Sequence, residues 1–446
     1  MFFKRFFVRF GIFLILFNFV SPGFSDCIDG METLGEGLSQ RVSPSPAFTE
    51  ESYPQKITKT LQGITFDSDY DNGSLLDVQE AGANIFNCTI YTESGEYGDR
   101  KYWFRFKILG AGGAEVTLNI EHPQNPRPVV SFDGGASWRR LSSSEAPGNW
   151  QVVLDVPESC QELEISFFFP SGVKETYDTV SDFVRRCDSA TSKSIGASFQ
   201  GREMWMVTAT DPATSDCLKH RVWLHSRAHA GEVTSTLLML GFLSQIMEDS
   251  PWGRYLRENC IFNVVPLQNV DGVYLGHTRW DSQGIDPERQ WPQPYRIPEV
   301  GNIKYQVDAF MGGDNPIEVA LNLHSTQGNY TDTFFFKHVY PSVTHEFEAI
   351  EQKFIDAFDH ATPLFDNLSA QTSQLSPNLF IESYFWNNWG KAVMAITHEG
   401  HFYKRITDNQ YITDKDYHEL GRAMARGLVE YFDLPMPRSG IWHLAY

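Results

Sequence analysis

The chain has 446 residues, 41% hydrophobic and 21% charged, with 11 Trp, 18 Tyr and 34 Phe. That composition excludes wholesale disorder and supplies apolar surface for large cores. Against 36 Lys and Arg stand 56 Asp and Glu, a formal net charge of -20; counterion release from a phosphate backbone needs a basic surface, so nucleic acid is not an expected partner.

At the N-terminus Lys4, Arg5 and Arg9 precede an apolar run from Phe10 to Val20, about half of what a membrane-spanning helix needs. Small residues at Gly23 and Ser25 follow. Residues 1–25 therefore read as a signal peptide cleaved after Ser25, which predicts an exported protein, secreted or periplasmic, with no stable membrane anchor. The six cysteines, Cys27, Cys88, Cys160, Cys187, Cys217 and Cys260, show no CxxC spacing, so they read as structural thiols or bridges, with 15 complete pairings open. Residues 26–58 have the Ser, Pro, Gly and Glu content of a flexible leader.

From 59 to 182 short alternating or aromatic runs recur, at 102–106, 116–120, 129–132, 150–154 and 163–167, separated by Gly, Asn, Asp and Pro. Strands at such spacing predict an antiparallel β-sandwich domain. From 183 to 446 the rhythm becomes strand, helix, strand. His220 to His225 reads as a strand and Glu232 to Met247 as a helix; Cys260 to Leu267, Val319 to Leu323 and Ala392 to Ile396 read as buried strands, Glu346 to His360 and Tyr417 to Phe432 as helices. Asp414 or Asp416 is the expected cap of the last helix. The predicted class is an α/β catalytic domain, a mixed sheet with helices on both faces.

The chemistry begins where the HRVWLH strand meets the next helix. His229 and Glu232, in an H-x-x-E spacing, can turn an imidazole and a carboxylate toward one ion, and His324 stands at the end of another predicted strand. Two His and one Glu leave a fourth position for water, the pattern of catalytic zinc, and predict one Zn2+ per chain. His225, mid-strand, reads as structural. Strand alternation that turns Glu399 inward turns His398 away, so the T-H-E-G-H run at 397–401 is not read as a second metal site.

Several ordered motifs resemble those of the M14 zinc carboxypeptidases, most of all the cytosolic carboxypeptidase-like branch and its bacterial relatives. Ser226-Arg227-Ala228-His229-Ala230-Gly231-Glu232 is similar to the zinc motif, Asn269-Val270-Asp271-Gly272-Val273 to N-P-D-G-V, and His277-Thr278-Arg279 to H-R-C. Gly284-Ile285-Asp286-Pro287-Glu288-Arg289-Gln290-Trp291 resembles G-x-D-L-N-R-x-W, and His324-Ser325 and Thr397-His398-Glu399 resemble the third-ligand and general-base motifs.

The resemblance implies hydrolysis of C-terminal peptide bonds. Glu399 would be the base, Arg279 the oxyanion partner and Arg289 the grip on the terminal carboxylate of a peptide or protein substrate. Glu288 replaces the family's Asn; a carboxylate 4 Å from a substrate carboxylate costs about 4 kcal/mol at an effective dielectric of 20, so either Glu288 is turned away and neutralised by a neighbouring arginine, or the pocket admits a cationic or uncharged terminus. Tyr384 has two readings, a donor over the substrate or an aromatic in the core. Competing functions are a zinc amidase acting on a cell-wall peptide or an acylated amino acid, and a non-catalytic binding protein on the same scaffold.

Overall fold

The computed structural model describes residues 53–122, 127–148, 151–293, 296–326, 330–366, 371–373, 379–405 and 408–435. The expected signal peptide at 1–25 and most of the leader at 26–58 lie outside the described residues.

Period-two burial builds two N-terminal sheets. In Glu115–Ile120, Val116, Leu118 and Ile120 are buried while Glu115, Thr117 and Asn119 are not. One sheet has the order Thr58–Leu61, Ile64–Asp67, Arg105–Leu109, Glu162–Ser166, Val129–Ser131, Arg139–Arg140 and is antiparallel throughout. The other runs Asp77–Gly82, Ile85–Thr89, Glu115–Ile120, Gln151–Asp155. Phe66 of the first meets Phe86 of the second with ring centroids 4.9 Å apart.

The expectation of wholly antiparallel pairing needs one correction: Ile85–Thr89 and Glu115–Ile120 pair in parallel. Between them the chain leaves to form Arg105–Leu109 in the other sheet, and a return by such a crossover restores the original direction.

The C-terminal sheet has eight strands in the order Ala190–Ala197, Glu203–Ala209, Cys260–Val265, His220–Ser226, Ile317–Ser325, Met394–Gly400, Phe334–His338, Gln371–Ser373. The four from Cys260–Val265 to Met394–Gly400 are mutually parallel, and antiparallel pairs flank them. This is the mixed sheet that the apolar runs predicted.

Its central strands are buried on both faces, and alternate residues serve different cores. Val222, Leu224, Leu321 and Ile396 join a core with the helices Val233–Met247, His345–Ala361 and Asp414–Tyr431. Trp223, Ala320 and Ala395 join a second with Pro298–Met311 and Ile381–Trp389. Gly241 and Gly421 let two of these helices touch backbone to backbone: a Cβ on Gly421 would lie 1.9 Å from the Leu238 carbonyl oxygen, and one on Gly241 2.1 Å from that of His418.

The last helix begins earlier than expected, and neither aspartate is its cap. Thr413 caps it by accepting the Asp416 N–H at 3.3 Å, while the Asp416 carboxylate accepts the Thr413 N–H at 2.8 Å. A helix at Val173–Arg185, which the sequence reading did not mark, precedes the sheet. Among the described residues no helix is long and apolar enough to cross a membrane.

Candidate active site

At the end of the strand His220–Ser226, Arg227 takes a left-handed backbone conformation with φ 64°, unfavourable for a residue with a Cβ. Its buried guanidinium offsets that strain by holding the turn together. Nε donates to the Ala230 carbonyl at 2.8 Å, and Nη1 to the Ser171 carbonyl at 3.1 Å and the Thr236 hydroxyl at 3.0 Å. The chain wraps around its own arginine, and Glu232 arrives at the N-cap of Val233–Met247. Gly231 donates its N–H to the Thr278 carbonyl at 2.8 Å, and a Cβ there would sit 2.7 Å from that oxygen. Only glycine fits.

His229, Glu232 and His324 present donor atoms within 4.8 Å of one another, all three buried. His229 Nδ1 lies 2.7 Å from Glu232 Oε1, and His324 Nδ1 2.9 Å from Glu232 Oε2 and 3.2 Å from His229 Nδ1. The far nitrogen of each ring has its own carboxylate: His229 Nε2 is 3.1 Å from Asp286 Oδ1, and His324 Nε2 is 3.2 Å from Glu288 Oε2. Outer carboxylates of this kind orient ligating imidazoles and raise their basicity.

The buried charges of this set compensate one another. Burial opposes charge on His324, yet Glu232 and Glu288 hold its pKa well above the usual histidine range. Burial likewise opposes charge on Glu232, and His229 and His324 hold it well below the usual carboxylate range. Two imidazoles and a carboxylate fit zinc, and leave a coordination position for water.

The neighbouring parallel strand brings Glu399 directly opposite His324 in register. Its Oε2 is buried without a hydrogen-bond partner, and burial beside Glu232 raises its pKa. Arg279 reaches the same place through Asp286, donating from Nη2 at 2.8 Å and Nε at 3.1 Å. A cavity of about 780 Å³ is lined by the three metal-site residues together with Arg279, Glu288, Arg289 and Glu399. The guanidinium of Arg289 stacks over the Phe380 ring at 4.3 Å.

Glu288 is partnered by His324 and by Asn322, whose Nδ2 donates to it at 3.1 Å, rather than through a hydrogen bond from an arginine. Asn322 also donates to the buried Glu382, another wall of the cavity. Tyr384 is not brought to the site: its hydroxyl donates to Asp308 and accepts from Lys304, and its ring lies 5.6 Å from that of Trp291. His398 turns to Thr333 and packs against Phe335 and Phe358. His225 faces Trp223, whose indole N–H lies 3.2 Å from His225 Nδ1.

Sequence reasoning missed Asp286 and Glu382, and also Glu93 of the N-terminal region, whose carboxylate accepts the Thr278 N–H at 2.7 Å beside Arg279. Asp286 stood inside a quoted motif, but its partner His229 is 57 residues away and nothing local announces the pairing.

Residues 176–362 match the family profile described as zinc carboxypeptidase, Peptidase_M14. The chain carries a zinc carboxypeptidase domain of the M14 family. Among curated proteins, the chain is 23% identical to cytosolic carboxypeptidase 6 of Mus musculus over 432 residues, 84% of this chain and 76% of that one. It is 42% identical to cytosolic carboxypeptidase 3 of Mus musculus over 271 residues, 54% of this chain and 27% of that one. Its fold is similar to the crystal structure of a metallo-carboxypeptidase from Burkholderia cenocepacia, with TM-score 0.71 at 21% identity, covering 83% and 99% of the two chains.

The expectation of export is overturned by these relatives, which are named cytosolic carboxypeptidases. A short apolar run beside three cations satisfies the composition of a signal without specifying a destination, and it lies outside the described residues. Cys88, Cys160, Cys187 and Cys260 are buried free thiols, so the full pairing of six cysteines does not form.

Proposed function

We propose that this protein is a zinc-dependent carboxypeptidase that hydrolyses the C-terminal peptide bond of peptides or proteins, with His229, Glu232 and His324 holding one zinc ion. The observation that carries this reading is the convergence of those three donors with the unpartnered Oε2 of Glu399 in one cavity. Zinc bound there supplies a Lewis acid that brings the pKa of a coordinated water toward ~7. Glu399 takes the proton of the attacking water and delivers it to the departing amine. Arg279, oriented by Asp286, stabilises negative charge developing on the scissile carbonyl oxygen, a contribution of roughly 2.7–4 kcal/mol for a comparable donor. Arg289, with its planar two-pronged donor set, binds the terminal carboxylate of the substrate.

No observation in the site favours the amidase reading, and a buried ligand set with its base in place argues against a binding-only scaffold. The test is incubation of the purified protein with a peptide panel and mass spectrometry of the products, alongside Glu399→Gln. Loss of single C-terminal residues is expected from the wild type. The variant should retain zinc and lose kcat by about 10²–10⁴, since the amide cannot accept the proton. Retention of more than a tenth of the activity would show that another group is the base.

A further inference from the structure

The N-terminal region reaches into the catalytic region at a place that bears on Arg279. Glu93, buried, gathers three successive backbone N–H groups 185 to 187 residues away: Thr278 to Oε2 at 2.7 Å, and Arg279 and Trp280 to Oε1 at 2.5 and 2.8 Å. Three consecutive amides aimed at one anion form a nest, a backbone shape held by the anion that fills it. The other side of the same backbone is tied to the metal-site turn, with Gly231 donating to the Thr278 carbonyl at 2.8 Å and Ala230 to that of Arg279 at 3.3 Å. The Thr278 hydroxyl accepts the N–H groups of Tyr102 and Trp103 at 3.3 and 3.2 Å.

The residues after Glu93 extend the clamp. Glu93 and Arg100 pair as a hairpin by reciprocal N–H to carbonyl bonds at 2.9 Å. Gly95 lies flat against the indole of Trp280, where a Cβ would stand 2.4 Å from the ring. Glu96 accepts the Asp286 N–H at 3.3 Å and Gln290 Nε2 at 3.1 Å. Arg279 is thus fixed at its backbone by Glu93 and at its guanidinium by Asp286, whose own backbone the same hairpin holds.

We propose that Glu93 is a positioning residue for Arg279, which makes the 93–100 hairpin of the N-terminal region part of the catalytic apparatus. The inference rests on the reading of Arg279 as the oxyanion partner. The displacement of a catalytic group by about 1 Å can cost ~10²-fold in rate, so Glu93→Gln, which removes the charge and one acceptor oxygen, is expected to lower kcat by roughly 10–100-fold with KM changed little.

The test is a double-mutant cycle on the zinc-loaded full chain: wild type, Glu93→Gln, Arg279→Ala and both together, with kcat, KM, zinc content and melting temperature measured for each. If Glu93 acts through Arg279, its substitution costs less than about twofold once Arg279 is alanine. The same loss in both backgrounds overturns the proposal and leaves Glu93 a purely structural residue. Unchanged turnover in Arg279→Ala alone overturns the reading of Arg279 instead. Should Glu93→Gln fail to fold, Glu93→Asp, which keeps the charge but draws the carboxylate back by one methylene from the Thr278, Arg279 and Trp280 N–H groups, takes its place in the cycle with the same two outcomes.

Discussion

Glu288 shows how one substitution within a motif changes a residue's task. Its side chain faces His324 and Asn322, and the His324 contact at 3.2 Å parallels that of Asp286 with His229 at 3.1 Å, so each imidazole of the metal site has a carboxylate behind it. Asn at this position is shorter by one methylene and uncharged. Glu288→Asn is therefore expected to raise the zinc dissociation constant about 10–100-fold, the usual cost of losing an outer-shell carboxylate. Competition with a chromophoric chelator measures it; an unchanged constant would show that the His324 contact does not tune the metal. The three candidate ligands and Glu399 were legible because each occupies a short motif at or just beyond a predicted strand end. Asp286 and Glu93 act on partners 57 and 185 or more residues away, and no periodicity reports such a contact.

Among the secondary elements, the helix Pro298–Met311 carries Glu299 in its first turn, a favourable place for an anion by the helix dipole. Burial, followed by the nearby Asp271 carboxylate, nevertheless pushes the Glu299 carboxyl up to about 8. One oxygen accepts the Phe199 N–H at 3.1 Å and the other has no partner, while Arg202 is bonded to Asp271. An unfolded Glu titrates near 4.3, so between roughly pH 4.3 and 8 the folded protein holds more protons than the unfolded chain. Stability contributed here is therefore present below that window and falls as pH rises through it. Glu299→Gln keeps the acceptor without a titrating group; its melting temperature relative to wild type should rise by ~2 °C or more between pH 5.5 and pH 8.5. A difference independent of pH would mean that Glu299 does not titrate in this range.

Across the whole molecule, the N-terminal sheets and the catalytic sheet share one core. Phe167 packs on Phe402 with centroids 5.0 Å apart, Tyr102 lies 6.0 Å from Phe402, and Phe168 lies 6.3 Å from Tyr417 of the last helix. The Glu93 nest and the bond from the Asn72 side chain to the Val273 carbonyl at 2.9 Å add buried polar links. Separating the two regions would expose these rings and leave the buried Glu93 without its three donors, a loss that neither region could bear alone. A single calorimetric transition is expected, with equal van't Hoff and calorimetric enthalpies. Two resolved transitions would show that the regions unfold independently.

By itself the sequence determined what is local: alternating runs that become strands, apolar stretches buried on both faces, the turn from His220–Ser226 into its helix, and the places of the candidate ligand and base residues at or just beyond strand ends. These follow from residue type and spacing within about ten positions, where periodicity and capping act. Tertiary structure alone decided the parallel pair in the N-terminal region, the turn of Tyr384 to Asp308, the partnership of Glu288 with His324, and the hold of Glu93 on the Arg279 loop. In each of these a buried or half-buried polar group or a strand edge must find its partner, and that partner lies on a segment whose position is set by the packing of the whole chain.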